Sequence, residues 1–166
     1  EHVSIATIGD MLDRTITSNG CAKAYAMAGG RLGYLAAPLD VIPAMDKVMQ
    51  HSVGCVNAFA VWGGVAALTG DQTCVEEMRK QFEQRRSFVI GRLAGMGLST
   101  APAEGAFYAF INVGGDDVAT ANKWLDKAHV AATPGTAFGA PGWIRISYAA
   151  SMERLAEALD RIEAVQ

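Results

Sequence analysis

From Val48 to Gly70 the chain carries no Asp, Glu, Lys or Arg, and an uncharged run of that length has few possible fates. It is long enough to raise the question of a membrane span. However, it holds Gln50, His51, Ser52, Asn57 and several glycines, and its continuously apolar part is only VNAFAVWGGVAALT. A helix buried in a core or at a subunit interface is the expected outcome. The first residues show no secretory pattern. The chain opens on Glu1 rather than Met, so a piece of a longer protein is expected.

Charge is uneven along the 166 residues: it is thin up to about Thr73 and frequent in the helical segments after it. This places a boundary near Gly70. Residues 71–166 have the makings of a small α/β layer domain. Residues 1–70 offer two strands and two apolar helices, which cannot cover themselves, and a missing N-terminal portion is the expected partner. The chain as a whole is 51% hydrophobic, enough for a proper core.

Other classes are disfavoured by composition. A net charge of -3 and a pI near 5.6 argue against a phosphate-backbone binder, so no nucleic-acid partner is expected. The densest charge run, EEMRKQFEQRR, mixes signs as a solvated helix face does. Cys21, Cys55 and Cys74 are odd in number and widely spaced, which suits a reducing cytoplasm. His2, His51 and His129 show no ligand spacing, and no metal site is expected.

Local signals predict the elements. RTITSN reads as a strand ending in an Asn19-Gly20 turn, and GRLGYLAAP as another strand. LDVIPAMDKVMQ reads as a helix with Pro43 in its first turn and Asp40 as its cap. CVNAFAVWGGVAAL gives a second helix. Thr73 to Glu76 has capping-box spacing before a long amphipathic helix with Val75, Met78, Phe82, Val89 and Leu93 near one face. AFYAFINV alternates as a strand, residues 117–127 look helical, HVAATPG gives a short strand and turn, and WIRISYA a further strand. Ser151 should cap a last helix with Leu155, Leu159 and Ile162 on its apolar stripe.

Three cations stand out. Lys23 lies in a run of small, apolar and uncharged polar residues: it either snorkels to the surface or loses hydration there, which favours the neutral amine that Schiff-base chemistry needs. Arg31, beside a Gly-rich turn, is a surface residue or a phosphate ligand. Arg145 on its strand is either an exposed residue in a surface pair or a planar bidentate clamp for a carboxylate.

The order NGCAKAYAMAGGRLGY, Asn19 to Tyr34, resembles the cofactor-lysine segment of the class I and II aminotransferases, pyridoxal-phosphate enzymes of fold type I. EGAFYAFINV, ATPGTAFG and WIRISYA are similar to the family's later motifs, in the family's order. The resemblance implies an α/β fold, with residues 1–70 the end of the large cofactor domain and 71–166 the small domain. It implies that Lys23 holds pyridoxal 5'-phosphate as a Schiff base, that Arg31 binds the cofactor phosphate, and that Arg145 pairs with the substrate α-carboxylate. It further implies transfer of an amino group between an α-amino acid and a 2-keto acid by an aspartate-aminotransferase-like parent, active as a cytoplasmic homodimer, with this chain inactive alone. Ala22 replaces a common Ser, and Ala28-Gly29-Gly30 replaces Thr-Gly-Trp. A carbon-sulfur lyase of the same fold would carry similar residues, and a noncatalytic regulatory or interaction domain on this scaffold is the alternative from another class.

Overall fold

A computed structural model describes residues 2–166, and the chain divides into two compact units, 1–76 and 77–166. Their cores differ greatly. The hydrophobic core cluster, from Val89 to Ile162, lies wholly in the second unit. Among the described residues of the first, burial reaches only Cys21, Ala60 and Gly64.

The first unit is built on a two-stranded antiparallel ladder, β1 (Thr17–Gly20) against β2 (Gly33–Ala36), with Thr17 opposite Ala36 and Gly20 opposite Gly33. The strand expected from Arg14 begins later. Met11–Arg14 form a 3-10 turn, and the Thr15 hydroxyl donates back to the Met11 carbonyl at 2.6 Å, so extended pairing starts only at Thr17. Asn19-Gly20 is therefore strand rather than turn, and Gly20 leads directly into a single helical turn, α1 (Cys21–Ala24).

α2 (Ile42–Ser52) carries Pro43 in its first turn as expected, but Asp40 does not cap it. A preceding turn, with the Val41 N–H donating to the Pro38 carbonyl, feeds the chain into the helix instead. α3 (Ala58–Thr69) is capped by Asn57, whose side chain accepts from the N–H groups of Phe59 and Ala60. It is apolar on every side. One side packs within the unit, while Phe59 is 88% and Trp62 75% exposed.

α4 (Thr73–Gly95) is the long helix expected, 23 residues. Thr73 is its first residue, and its N–H and hydroxyl both donate to Asp71. Beyond Gly97, in the left-handed conformation, lies a four-stranded antiparallel sheet ordered β3-β4-β6-β5, formed by β3 (Ser99–Thr100), β4 (Tyr108–Asn112), β5 (Thr133–Pro134) and β6 (Trp143–Ser147). α5 (Asp117–Lys123) runs on into a π turn through Trp124–Ala128, and α6 (Met152–Ala164) is capped by Ser151, which accepts from the Arg154 N–H.

Strand alternation divides the sheet cleanly. Ala109, Ile111, Ile144 and Ile146 are buried on one face with Val89 and Leu93 of α4, Ala121 of α5 with Trp124 of its π turn, and Leu155, Leu159 and Ile162 of α6. Fully burying each Leu or Ile contributes about 1.5–3 kcal/mol, so the second unit has an ample driving force. Tyr108, Phe110, Trp143 and Arg145 belong to the other face. Arg92 ties α4 to α6 through Asp160 at 2.7 Å and Glu163 at 3.0 Å. No helix among the described residues is long and apolar enough to cross a membrane.

Candidate active site

Lys23 and Arg31 lie on one loop, residues 21–32, whose ends are joined by the β1–β2 ladder. The Cys21 N–H donates to the Leu32 carbonyl at 3.1 Å, and the Met27 N–H returns to the Cys21 carbonyl at 3.3 Å, so the loop is fastened across its base and its middle. Ala26 and Arg31 both have positive φ, 52° and 50°, which reverses the chain twice. The Tyr25 hydroxyl donates to Gln72 at 2.9 Å, and Gln72 in turn holds carbonyls at the end of α3.

α3 is the platform for this loop. Gly63 and Gly64 present bare backbone to Met27 and Leu32: a Cβ at Gly63 would lie 3.0 Å from Met27 Cε, and one at Gly64 would overlap Leu32 Cδ2. The apolar character of the segment therefore buries Cys21 and seats Leu32, while Lys23 itself is exposed. Of the two alternatives left open for the lysine, the structure shows the exposed one. Arg31 is exposed too, and its guanidinium donates to the Ala28 carbonyl at 3.3 Å. A cleft of about 700 Å³ between the hairpin and α2, lined by Tyr34, Met45 and Met49 among others, contains neither cation.

In the second unit Arg145 stands opposite Phe110 on β4 and Thr133 on β5. Its guanidinium carbon is 4.5 Å from the Tyr108 ring centre and 4.6 Å from that of Phe138, and it donates to the Thr133 hydroxyl at 3.4 Å. Phe110 stacks on Trp143 at 5.2 Å and meets Phe138 edge-on at 6.4 Å. Cation–π contact on two rings limits the rotamers of a long side chain. Tyr108, Thr133 and Phe138 were not singled out from the sequence. Alternation alone would have put Tyr108 on the face of Arg145, but the contact of Phe138 depends on the fold of the turn.

The sequence profile of the family described as aminotransferase class I and II matches residues 1–162. This chain belongs to that family. Aspartate aminotransferase of Thermotoga maritima is 41% identical over 163 residues, covering 98% of this chain and 42% of the relative, and that of Musicola paradisiaca is 45% identical over 168 residues, covering 97% and 42%. Among solved structures, aspartate aminotransferase of Thermotoga maritima matches with a TM-score of 0.92 at 41% identity over 99% of this chain and 43% of that one. The aromatic aminotransferase of Pyrococcus horikoshii matches at 0.94 and 42% over 99% and 46%.

The chain thus has the α/β fold of the fold type I aminotransferases and spans less than half the length of these relatives. The class I and II aminotransferases are pyridoxal-phosphate enzymes, and the residues present fit that group. It needs an amine for its aldehyde and a cation for its phosphate, and loop 21–32 presents one of each, exposed, on a backbone fastened at its base. Among the described residues no group of three or more His, Cys, Asp and Glu could hold a metal ion.

Proposed function

We propose that these residues are the C-terminal part of an aspartate-aminotransferase-like enzyme, comprising the end of its large cofactor domain (1–70) and its small domain (71–166). The whole protein moves an amino group between an α-amino acid and a 2-keto acid. The observation that carries this reading is the placement of Lys23 and Arg31 on a single braced loop, in the family's motif order. The share of the relatives' length that the chain covers supports its being a part.

Pyridoxal phosphate, when bound, supplies the aldehyde and the electron-accepting ring. Lys23 Nζ would be the amine that holds it, and the same amine, when free, would take a proton from the substrate Cα. Arg31 would bind its phosphate, with a guanidinium presented from backbone in the left-handed region. Arg145 orients the substrate by a bidentate grip on its α-carboxylate, with its own side chain held by Tyr108, Phe138 and Thr133. A cytoplasmic homodimer acting on small amino and keto acids, with neither nucleic acid nor membrane as partner, completes the reading.

The test is borohydride reduction in the presence of pyridoxal phosphate, followed by peptide mapping, on the whole protein and on this chain. Label on Lys23 in the whole protein is the expected result. Label absent there, or spread over surface lysines, would refute the reading. Release of pyruvate and ammonia without a keto-acid acceptor would instead assign a carbon-sulfur lyase.

A further inference from the structure

Asp117 is the one buried charged side chain among the described residues, 3% exposed, and it lies outside the machinery assigned above. Burying a carboxylate is costly unless donors satisfy it. Here the Thr136 N–H donates to it at 2.7 Å, the Thr136 hydroxyl at 2.9 Å and the Gly142 N–H at 3.3 Å.

These donors sit at the two ends of segment 136–142, and between them is Phe138, the ring against Arg145. The segment has little slack. Gly135 has no room for a side chain, since a Cβ there would lie 2.7 Å from the Trp143 carbonyl, and the Ala140 N–H closes the turn onto the Gly135 carbonyl at 2.9 Å. Thr133, just before it, is paired with Arg145 in the ladder. One carboxylate at the start of α5 thus fastens the turn that supplies Phe138 to the guanidinium. An amide would not substitute for it: Asn has a single acceptor oxygen, and its NH2 would face a donor.

Resting on the reading of Arg145 as the carboxylate anchor, we propose that Asp117 is a positioning residue for that anchor: by holding Thr136 and Gly142 it seats Phe138 against the guanidinium. The hydrogen bonds of Asp117 are then part of the carboxylate site, although Asp117 never touches the ligand.

The experiment is an NMR titration of the whole protein with sodium succinate at constant ionic strength, following the Arg145 Nε–Hε signal, assigned by its loss in Arg145→Lys. Core signals from Ile144 and Ile146 report whether the fold is intact. In the unsubstituted whole protein the Arg145 signal should shift saturably. Asp117→Asn should weaken succinate by about tenfold or more with the core signals in place. Thr136→Val should weaken it too and Thr136→Ser restore it, and this pair decides the matter if Asp117→Asn does not fold. Affinity for succinate unchanged in a folded Asp117→Asn chain, or in Thr136→Val, overturns the proposal while leaving the anchor intact. An Arg145 signal indifferent to succinate in the unsubstituted whole protein removes the anchor itself, and the proposal with it.

Discussion

Leu32 occupies the space that a side chain at Gly64 would need, so the loop carrying Lys23 and Arg31 rests on helix backbone rather than on another side chain. Replacing Gly by Ala inside a helix gains about 1 kcal/mol of propensity, but at Gly64 it forces Leu32 off its rotamer at a cost of about 0.5–1.5 kcal/mol. Gly64→Ala should therefore be close to neutral. Gly91→Ala, where nothing lies within 4 Å of the added methyl, should keep the full gain. Urea unfolding of the two variants checks this, and equal stabilisation would show that Leu32 is not held where it is described.

Arg31 combines a strained backbone with an exposed guanidinium, the one proposed above to take the cofactor phosphate. Arg31→Gly and Arg31→Ala should both lose pyridoxal phosphate affinity in the whole protein, by tenfold or more on the order of a lost charge-assisted pair. Only Ala retains the cost of φ 50°, about 1 kcal/mol. Cofactor titration alongside thermal unfolding separates the two effects. Equal stability of the two variants would count against strain at this position.

Arg145→Lys keeps the charge but gives up the planar fork and its stacking on Tyr108 and Phe138. A loss of roughly tenfold to a hundredfold in kcat/KM for amino-acid substrates is expected in the whole protein. Steady-state kinetics with an amino acid and with the corresponding amine decide it. The amine, having no carboxylate, should be indifferent to the substitution.

Three carboxylates should shape the acid limb of stability. Asp117 lies below the usual range chiefly because the Thr136 N–H donates to it, Asp71 chiefly because of the Thr73 hydroxyl, and Glu153 chiefly because of its own backbone N–H and the Ser151 side chain. A carboxylate with a depressed folded pKa binds fewer protons in the folded state. The stability it contributes is present above its unfolded value, about 3.9 for Asp and 4.3 for Glu, and is lost as the pH falls through that value toward the folded one. Asp117, as the buried member, should dominate. Acid titration monitored by circular dichroism should give a flatter limb in Asp117→Asn than in the unsubstituted chain, whereas the same slope in both would remove Asp117 from the account.

Phe59 and Trp62 leave an apolar helix face open on the first unit, next to a barely buried interior. The isolated chain should self-associate and show no transamination. Sedimentation should detect the association, and Phe59→Ser with Trp62→Ser should shift the chain toward monomer. A monomer without those substitutions would mean that the face is tolerated in water.

The second unit was the more legible from sequence, and for a physical reason. Ser151, Leu155, Leu159 and Ile162 obey local rules that their own core rewards, and the alternation from Phe107 to Val113 translates into one buried and one open face. The first unit follows local rules less closely. Thr15 and Asp40 read as strand and cap, but a hydroxyl-to-carbonyl bond and a preceding turn decide those places. The expectations for the three cations rest on motif order, which needs no structure. Their supports, Gly64 beneath Leu32 and Asp117 behind Phe138, join residues distant in sequence, and no periodicity announces them.

On β6 the side chains of Ile144 and Ile146 go to the core while Arg145, between them, goes to the open face. A slip of the strand by one residue would drive the guanidinium into the hydrocarbon and strand both isoleucines in water. The free energy that assembles the sheet therefore also proofreads the face on which Arg145 stands, because a molecule with the arginine on the wrong side is one that has failed to fold. A faulty copy of this strand is lost as an unfolded chain rather than kept as a folded one with its arginine misplaced.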